Sequence, residues 1–147
     1  MSINYIRDKR SPEPSSSIAS KVMSSIQAKN TKPEIIFRKL LWKNGIRGYR
    51  LHWKNVAGRP DISFPGKKIA IFINGCYWHR CPKCNLPIPK SNAAFWESKF
   101  HKNVRRDKEK REILESLGWM VFVFWECEIK ENPFPLIKEV KSSIIKN

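Results

Sequence analysis

Four cysteines, the full complement of the chain, have the spacing that says most about chemistry. They are Cys76, Cys81, Cys84 and Cys127. Only two residues separate Cys81 from Cys84, which lets both thiolates reach one ion, and four thiolates in a tetrahedral array make a closed structural zinc site. The sequence therefore predicts a zinc site in the Cys- and Pro-rich loop 76–89, completed from a distance by Cys127.

The same cysteines leave two alternatives open. Cys-x4-Cys-x2-Cys followed by a distant cysteine is also the pattern of plant-type iron–sulfur ferredoxins. Four reduced thiols that hold no metal are the second alternative. Metal analysis and an absorbance spectrum separate the cases, because a colourless protein that carries zinc excludes the cluster.

A second group of residues offers carboxylate and imidazole chemistry. Asp61 stands at the start of a strand-like run, where a carboxylate suits a hard divalent cation such as Mg²⁺, although an isolated Pro-Asp more often caps a turn. Asn74 and His79 follow the next apolar run along the chain. The turn pair Pro65-Gly66 joins the two runs and predicts a hairpin. Such a hairpin would bring Asn74, and with it His79, near Asp61.

Two roles are open for His79, which lies between predicted zinc ligands. A neutral imidazole can take a proton from water as a general base near neutral pH. It can equally replace Cys127 as the fourth metal ligand. We expect the other two histidines, His52 and His101, to be ordinary surface or helix residues.

Aromatic residues flank the same loop. Tyr77 and Trp78 are adjacent and cannot both point into one core, and exposed aromatic rings can stack on bases or wedge between them. Trp96 is either a third such residue or a core residue beneath the loop. The segment that follows carries an excess of basic side chains, which suits contacts with phosphate groups. The basic residues predicted to make those contacts are Lys99, Lys102, Arg105 and Arg106.

The elements that must position these residues follow from hydrophobic periodicity and turn signals. Thr31, Pro33 and Glu34 predict the start of a helix that runs to about residue 44. The further elements are strands at 50–53, 61–64 and 68–73, a helix at about 93–117, a buried strand at 120–125 and a helix at 134–145. This order predicts an α/β fold in which helices flank a mixed central sheet.

Length, charge and apolar runs bound the remaining choices. The 147 residues suffice for one domain, which we place at 20–147 after a flexible tail at 1–19. The 29 Lys+Arg against 13 Asp+Glu give a net charge of +16, which favours a polyanionic partner such as nucleic acid. No apolar run approaches the roughly 20 residues of a spanning helix, and the start does not resemble a signal peptide. We expect no membrane partner and an intracellular location, cytoplasmic and nucleoid-associated if the chain is prokaryotic.

Seven sequence blocks, met in one order, resemble a known family. From about Ser20 to Cys127 the chain resembles the very-short-patch-repair (Vsr) DNA mismatch endonucleases. The blocks are 20–26 (SKVMSSI), 31–41 (TKPEIIFRKLL), 58–61 (GRPD), 72–79 (FINGCYWH), 95–96 (FW), 103–107 (NVRRD) and 117–127 (LGWMVFVFWEC).

The resemblance implies both a fold and an activity. The fold is restriction-endonuclease-like, with a structural zinc ion and Mg²⁺ at the nick site. Members nick double-stranded DNA on the 5′ side of the thymine in a T:G mismatch, which arises when 5-methylcytosine is deaminated. Mismatch-repair proteins are candidate partners, and we expect a monomer.

The resemblance also implies residue roles by position. Asp61 corresponds to the metal-binding aspartate, and the backbone carbonyl of Ile73 assists the metal. His79 corresponds to the catalytic histidine near the attacking water, and Glu34 to a helix glutamate that supports the site. The zinc ligands are Cys76, Cys81, Cys84 and Cys127, and the residues inserted into the duplex are Met23, Tyr77, Trp78 and Trp96.

Two positions depart from the expected patterns. Asn74 stands where such proteins often have Asp or His, which puts in doubt a direct role there in binding metal or water. The Glu-x-Lys motif of ordinary restriction-like nucleases does not follow Asp61. In the resembled family, histidine chemistry takes the place of that lysine.

Two alternative functions stay open beside mismatch nicking. One is a Vsr-like nicking endonuclease with a homing or restriction role. The other is a zinc-stabilised nucleic-acid-binding module without catalysis. Asp61 and His79 discriminate the binding module, because such a module needs neither of them.

Overall fold

A computed structural model describes residues 29–146 of the chain. The predicted tail at 1–19 and the predicted inserting residue Met23 lie outside these described residues. The helices and strands are α1 (Lys32–Lys43), β1 (Arg50–Leu51), β2 (Ile62–Phe64), β3 (Ile69–Asn74), α2 (Ala93–Ser116), β4 (Met120–Trp125), α3 (Glu126–Glu131) and α4 (Phe134–Lys146).

The four strands form one mixed sheet in the spatial order β1-β2-β3-β4. A short 3-10 turn at Pro65–Lys67 closes the predicted hairpin, in which β2 and β3 pair antiparallel with Ile62 opposite Ile71. β3 and β4 pair in parallel, which requires a crossover, and the Cys-rich loop together with α2 supplies it. The predicted α/β arrangement, a mixed sheet flanked by helices, is confirmed.

The core explains why β3 lies in the middle of the sheet. Its residues Ile69, Ala70 and Ile71 are fully buried, and such a continuous apolar run is typical of a strand covered on both faces. Phe37 of α1 packs against Phe124 of β4 with ring centroids 5.3 Å apart. Apolar residues of α4 complete the same core. The sheet is therefore a rigid base for residues at the strand ends.

Helix α2 buries only some of its apolar residues. Trp96, Phe100 and Leu114 are buried, whereas Val104, Ile113 and Leu117 are 47%, 49% and 54% exposed. Helical spacing alone therefore does not bury an apolar residue of this helix. Its middle turns direct the polar residues Asn103 and Asp107 inward, where they bond Trp78 and His79.

Three smaller differences affect the site. The Thr31 side chain makes no capping hydrogen bond, and the Glu34 carboxylate instead accepts the Asn30 N–H at 3.0 Å. β1 ends at Leu51 because His52 adopts a left-handed conformation with φ 48°. Helix α3, which carries Cys127, is an element that the sequence did not predict.

Within residues 29–146, no helix has the length and apolarity needed to cross a bilayer.

Candidate active site and cysteine centre

A cavity of about 990 Å³ opens between α1, the β2–β3 hairpin, the loop after β3 and the middle of α2. It gathers side chains from elements that are distant along the chain. The lining residues with acid–base chemistry include Glu34, His52, Asp61, His79 and Asp107. Asn74 lines the same cavity, so the hairpin does bring Asp61, Asn74 and His79 into one neighbourhood.

The hairpin holds the carboxylate of Asp61 in place. Asp61 directly precedes β2, and its Oδ2 accepts the backbone N–H of Ile73 at 2.7 Å. Its own backbone carbonyl accepts the N–H of His52 at 3.2 Å. The predicted neighbour Ile73 therefore touches Asp61 through its amide. These contacts orient the carboxylate toward the cavity across two strands, which a simple turn cap would not do.

Glu34 and His52 lie against Asp61 and complete an acidic cluster. Glu34 is only 3% exposed, and its Oε2 lies 3.4 Å from Nε2 of His52. Nδ1 of His52 lies 3.8 Å from Oδ1 of Asp61. One ligand atom from each of the three residues can be chosen so that all lie within 4.8 Å of one another.

The expectation that His52 is an ordinary surface or helix residue is wrong. β1 pairs with β2 so that Leu51 faces Ile62, and the next residue, His52, therefore meets Asp61. Pairing the two strands predicted at 50–53 and 61–64 would have placed His52 beside Asp61. His101 is exposed on α2, as expected.

Electrostatics in the cluster favour a cation. Burial, the largest cause, raises the pKa of Asp61 to about 7, the Ile73 N–H opposes this, and the nearby carboxylate of Glu34 raises the pKa further. Two carboxylates thus share a poorly solvated pocket and repel each other. Hard divalent cations bind through such oxygen atoms, so the donor set fits Mg²⁺.

His79 is oriented by a partner that the sequence did not single out. Its Nδ1 lies 2.6 Å from Oδ2 of Asp107 on α2. A carboxylate can only accept, so in the neutral ring Nδ1 carries the proton and Nε2 has the free lone pair. One helical turn earlier, Asn103 donates to the backbone carbonyl of Trp78 at 3.1 Å. Asn103 and Asp107 both belong to the sequence block NVRRD at 103–107. That block was the feature of the sequence that could have indicated these two contacts.

The three aromatic residues of this region pack together in one cluster. Trp78 contacts Tyr77 and Trp96, with ring centroids 5.1 and 5.7 Å apart, and all three surround Phe100. Trp96 is 8% exposed, so it packs in the interior, the second of its two predicted alternatives. In this structure its ring packs against Trp78 and Phe100, and its role as an inserting residue stays a prediction. Tyr77 and Trp78 are half-buried beside the cavity.

The basic residues of α2 divide into two groups. Lys102 and Arg105 are exposed, and Lys99 is half-buried. Arg106 lines the cavity itself, together with Arg59 and Lys110. The acidic cluster therefore has a positively charged rim, which suits an anionic backbone that must approach two carboxylates.

The four cysteines converge on one point. Helix α3 places Cys127 so that its Sγ lies 3.7 Å from Sγ of Cys81, and its N–H donates to Sγ of Cys76 at 3.4 Å. The four sulfurs lie within 4.8 Å of one another. A tetrahedral zinc site with Zn–S of about 2.3 Å separates its sulfurs by about 3.8 Å. The spacing fits a single ion, and Cys127, not His79, joins the other three cysteines.

Burial disfavours the thiolate form of two of the cysteines. It raises the pKa of Cys127 and raises that of Cys76 to about 12, and neighbouring thiols contribute to the increase at Cys76. At Cys81 burial is outweighed by hydrogen bonds from the backbone of Cys84 and Lys83, and the pKa is lowered. A bound cation favours the thiolate form over the thiol, because its positive charge stabilises the negatively charged sulfur. The chemistry of the donor set therefore fits a metal as well as the spacing does.

Comparison with known proteins gives the family. The family model described as DNA mismatch endonuclease Vsr matches residues 14–86. A Neisseria meningitidis serogroup A protein, type II nicking enzyme V.NmeAIP, is 41% identical over 131 residues, which cover 84% of this chain and 91% of that protein. This chain belongs to the Vsr family. It is accordingly a DNA endonuclease.

Two further Vsr-family relatives span most of the chain. Type II nicking enzyme V.HpaIIP from Haemophilus parainfluenzae is 40% identical over 125 residues, 82% of this chain and 86% of its own length. DNA mismatch endonuclease Vsr of Escherichia coli K12 is 33% identical over 111 residues, 76% of this chain and 70% of its own length. Both alignments are long enough that the similarity extends beyond the Cys-rich loop alone.

Proposed function

We propose that this Vsr-family endonuclease nicks double-stranded DNA on the 5′ side of the thymine in a T:G mismatch, as a step of very short patch repair. The observation that carries the proposal is that Asp61 and the His79–Asp107 pair line one cavity beside the aromatic residues Tyr77 and Trp78. The name of the Escherichia coli relative supports the mismatch part. The restriction-endonuclease-like fold that the family implies agrees with the mixed sheet.

The residues divide the hydrolysis among themselves. Asp61 and Glu34 would hold Mg²⁺ with the backbone carbonyl of Ile73, and the bound ion supplies Lewis acidity toward the phosphate. Nε2 of His79 accepts the proton of the water that attacks phosphorus. Asp107 keeps the ring in the required tautomer and stabilises the imidazolium that forms. No Glu-x-Lys lysine is needed, because His79 serves as the base.

We propose that different residues supply the affinity for DNA and the recognition of the mismatch. Lys99, Lys102, Arg105 and Arg106 contact phosphates, which adds affinity that does not depend on sequence. Tyr77 and Trp78 wedge beside the mismatch, where unstacking costs less than in a matched duplex. Met23 is proposed to insert from the other groove. A monomer and cooperation with mismatch-repair proteins remain part of the proposal.

A direct assay tests the proposed reaction. The full chain is incubated with end-labelled duplexes that differ only in a T:G or C:G pair, with and without Mg²⁺. We expect one strand to be cut 5′ to the thymine, in the T:G duplex and with Mg²⁺ only. A panel of flanking sequences guards against testing the wrong context. Failure to nick any duplex under these conditions would contradict the proposal.

A second candidate function is nicking without a mismatch. It is favoured by the relatives from Neisseria and Haemophilus, which are named type II nicking enzymes. The same assay distinguishes it, since equal cutting of the T:G and C:G duplexes would point to a restriction-associated or homing role. Asp61 and His79 would keep the same roles in either case.

We also propose that the cysteine centre holds a structural zinc ion. The purified chain should contain about one zinc ion and no visible absorbance, because four thiolates fill a closed tetrahedral site. Cys127→Ser should release zinc and lower the melting temperature, since zinc binding contributes folding free energy in such sites. Metal analysis and thermal unfolding of both proteins measure this.

The control for the zinc prediction is Glu131→Gln, an exposed change in the same helix α3. It should leave both zinc content and melting temperature unchanged. Iron together with a coloured protein would establish the iron–sulfur alternative. A wild-type protein free of metal, yet as stable as the zinc-loaded form, would leave four reduced thiols as the correct description.

A further inference from the structure

We propose that His52 is a third ligand, through nitrogen, of the cation site that Glu34 and Asp61 form. The inference rests on one part of the proposed function, that these two acids bind the divalent cation. It adds a residue that sequence reasoning assigned to the surface. It also changes the site from one with oxygen ligands alone to a mixed nitrogen and oxygen site.

The position of His52 is that of a ligand. His52 lies between the two carboxylates, with Nε2 3.4 Å from Glu34 Oε2 and Nδ1 3.8 Å from Asp61 Oδ1. These separations exceed those of good N–H···O hydrogen bonds, which cluster near 2.9–3.0 Å. One ion can take only one of the two ring nitrogens. One ring nitrogen, one oxygen of Glu34 and one oxygen of Asp61 lie within 4.8 Å of one another, as the ligands of a single ion do.

Nε2 of His52 is buried and has no hydrogen-bond partner among the residues described. Buried polar atoms are rarely left unsatisfied, and those that are call for an explanation such as an ion. The neighbouring acceptor Glu34 already receives the Asn30 N–H. A cation between the two side chains would satisfy Nε2 and offset both carboxylates.

The backbone of His52 also keeps its side chain at the two acids. His52 has φ 48°, in the left-handed region that residues other than glycine seldom occupy. The conformation is held by the hydrogen bond from its N–H to the Asp61 carbonyl. It ends β1 and leaves the imidazole against the two acids instead of continuing the strand. The unusual backbone conformation of His52 thus lies at the site that its side chain forms with Glu34 and Asp61.

An imidazole ligand changes which ions the site favours. Mg²⁺ binds through oxygen atoms and retains several water molecules, whereas imidazole is a ligand of transition-metal ions. We therefore expect His52 to contribute more to binding of Mn²⁺ than to binding of Mg²⁺. Mn²⁺ is also the divalent first-row ion that competes least with zinc for thiolates.

The test measures Mn²⁺ binding to the zinc-loaded full chain, with no DNA and no activity readout. Free Mn²⁺ is counted by electron paramagnetic resonance, and electron spin-echo modulation reports a ¹⁴N nucleus on the bound ion. The variant is His52→Asn, because asparagine tolerates a left-handed backbone. It should weaken Mn²⁺ binding about tenfold or more and remove the ¹⁴N modulation.

Two matched variants complete the design. His101→Gln removes an exposed imidazole on α2 and should change neither measurement. His79→Gln removes the other imidazole of the cavity and should leave the ¹⁴N modulation in place. Modulation that persists in His52→Asn, or that disappears in His79→Gln instead, would overturn the inference.

Asp61→Asn separates this inference from the proposed function. If it leaves Mn²⁺ binding intact, the carboxylate pair is not the cation site, and the metal assignment in the proposed function fails too. If it abolishes binding while His52→Asn retains both affinity and modulation, only the role of His52 fails. Loss of binding in both variants, with loss of modulation in His52→Asn, supports the two together.

Discussion

Replacing Asp61 with asparagine should almost abolish nicking and at the same time stabilise the Mg²⁺-free protein. Loss of a residue that only supports a metal ligand costs about 10–100-fold, so loss of the ligand itself should exceed about 100-fold. Stability should rise by roughly 0.5–2 kcal/mol, as is common when a functional strain is removed. The reason is that asparagine can still accept the Ile73 N–H but no longer repels Glu34.

The stabilisation should depend on pH with a defined sign. Burial raises the pKa of Asp61 from 3.8 to about 7 in the folded protein. Between those values the native carboxyl keeps its proton while the unfolded one has lost it, so the native state binds more protons. The stability of the wild type therefore falls as pH rises from about 4 to about 7, and stays low above that. Asp61→Asn should lack this part of the decline.

Chemical unfolding of both proteins from pH 4 to pH 8, in zinc-containing buffer without Mg²⁺, measures the difference. Single-turnover nicking at neutral pH with Mg²⁺ measures activity. Glu139→Gln, an exposed change on α4, is the control and should alter neither quantity. Substantial nicking by Asp61→Asn would remove Asp61 from the metal site. A stability difference that does not vary with pH would contradict the assigned pKa.

Replacing His79 with glutamine should slow the chemical step by about 10²–10⁴-fold, the usual contribution of a general base. DNA affinity should be nearly unchanged, because the imidazole acts on water and not on a base or phosphate contact. Asp107→Asn should have the same effect at smaller magnitude, since it removes the charge that orients the ring and stabilises its protonated form. Single-turnover rates at saturating enzyme measure the chemical step, and binding without Mg²⁺ measures the affinity for DNA.

The double variant provides the sharper check. If Asp107 acts through His79, adding Asp107→Asn to His79→Gln should cost little more, because coupled residues are not additive. His101→Gln is the matched control for a histidine on the surface of α2. Independent, multiplying losses would show that the two residues act separately. A retained rate in His79→Gln would require another base in the cavity.

The local elements were largely predictable because they depend on short-range physics. The turn pair Pro65-Gly66 and the apolar runs on either side predicted the β2–β3 hairpin, and its register brings Asp61 beside Ile73. The start of α1 was placed correctly, yet its cap was not, since Glu34 bonds Asn30 instead of completing a box with Thr31. Propensity locates an element, while side-chain contacts depend on neighbours that periodicity does not describe.

Helix α2 shows why an apolar residue is not by itself a core residue. Val104 and Ile113 fit the helical spacing but remain exposed, because the middle of the helix turns Asn103 and Asp107 toward the loop after β3 instead. Trp96 shows the reverse, since the sequence left open whether its ring is exposed and the structure buries it against Trp78. Burial depends on what lies opposite a residue, which is information that no local window contains.

The sequence by itself determined the classes of chemistry: thiolates with metal spacing, a carboxylate at a strand start, and a basic chain suited to a polyanion. Residue type and spacing suffice for these, because they express short-range covalent geometry and net charge. Only the tertiary structure decided which groups meet. It placed Cys127 with the other cysteines, gave His79 its partner Asp107, and set His52 between two carboxylates. Such contacts join residues far apart in the chain, and only strand pairing and helix packing bring them within bonding distance.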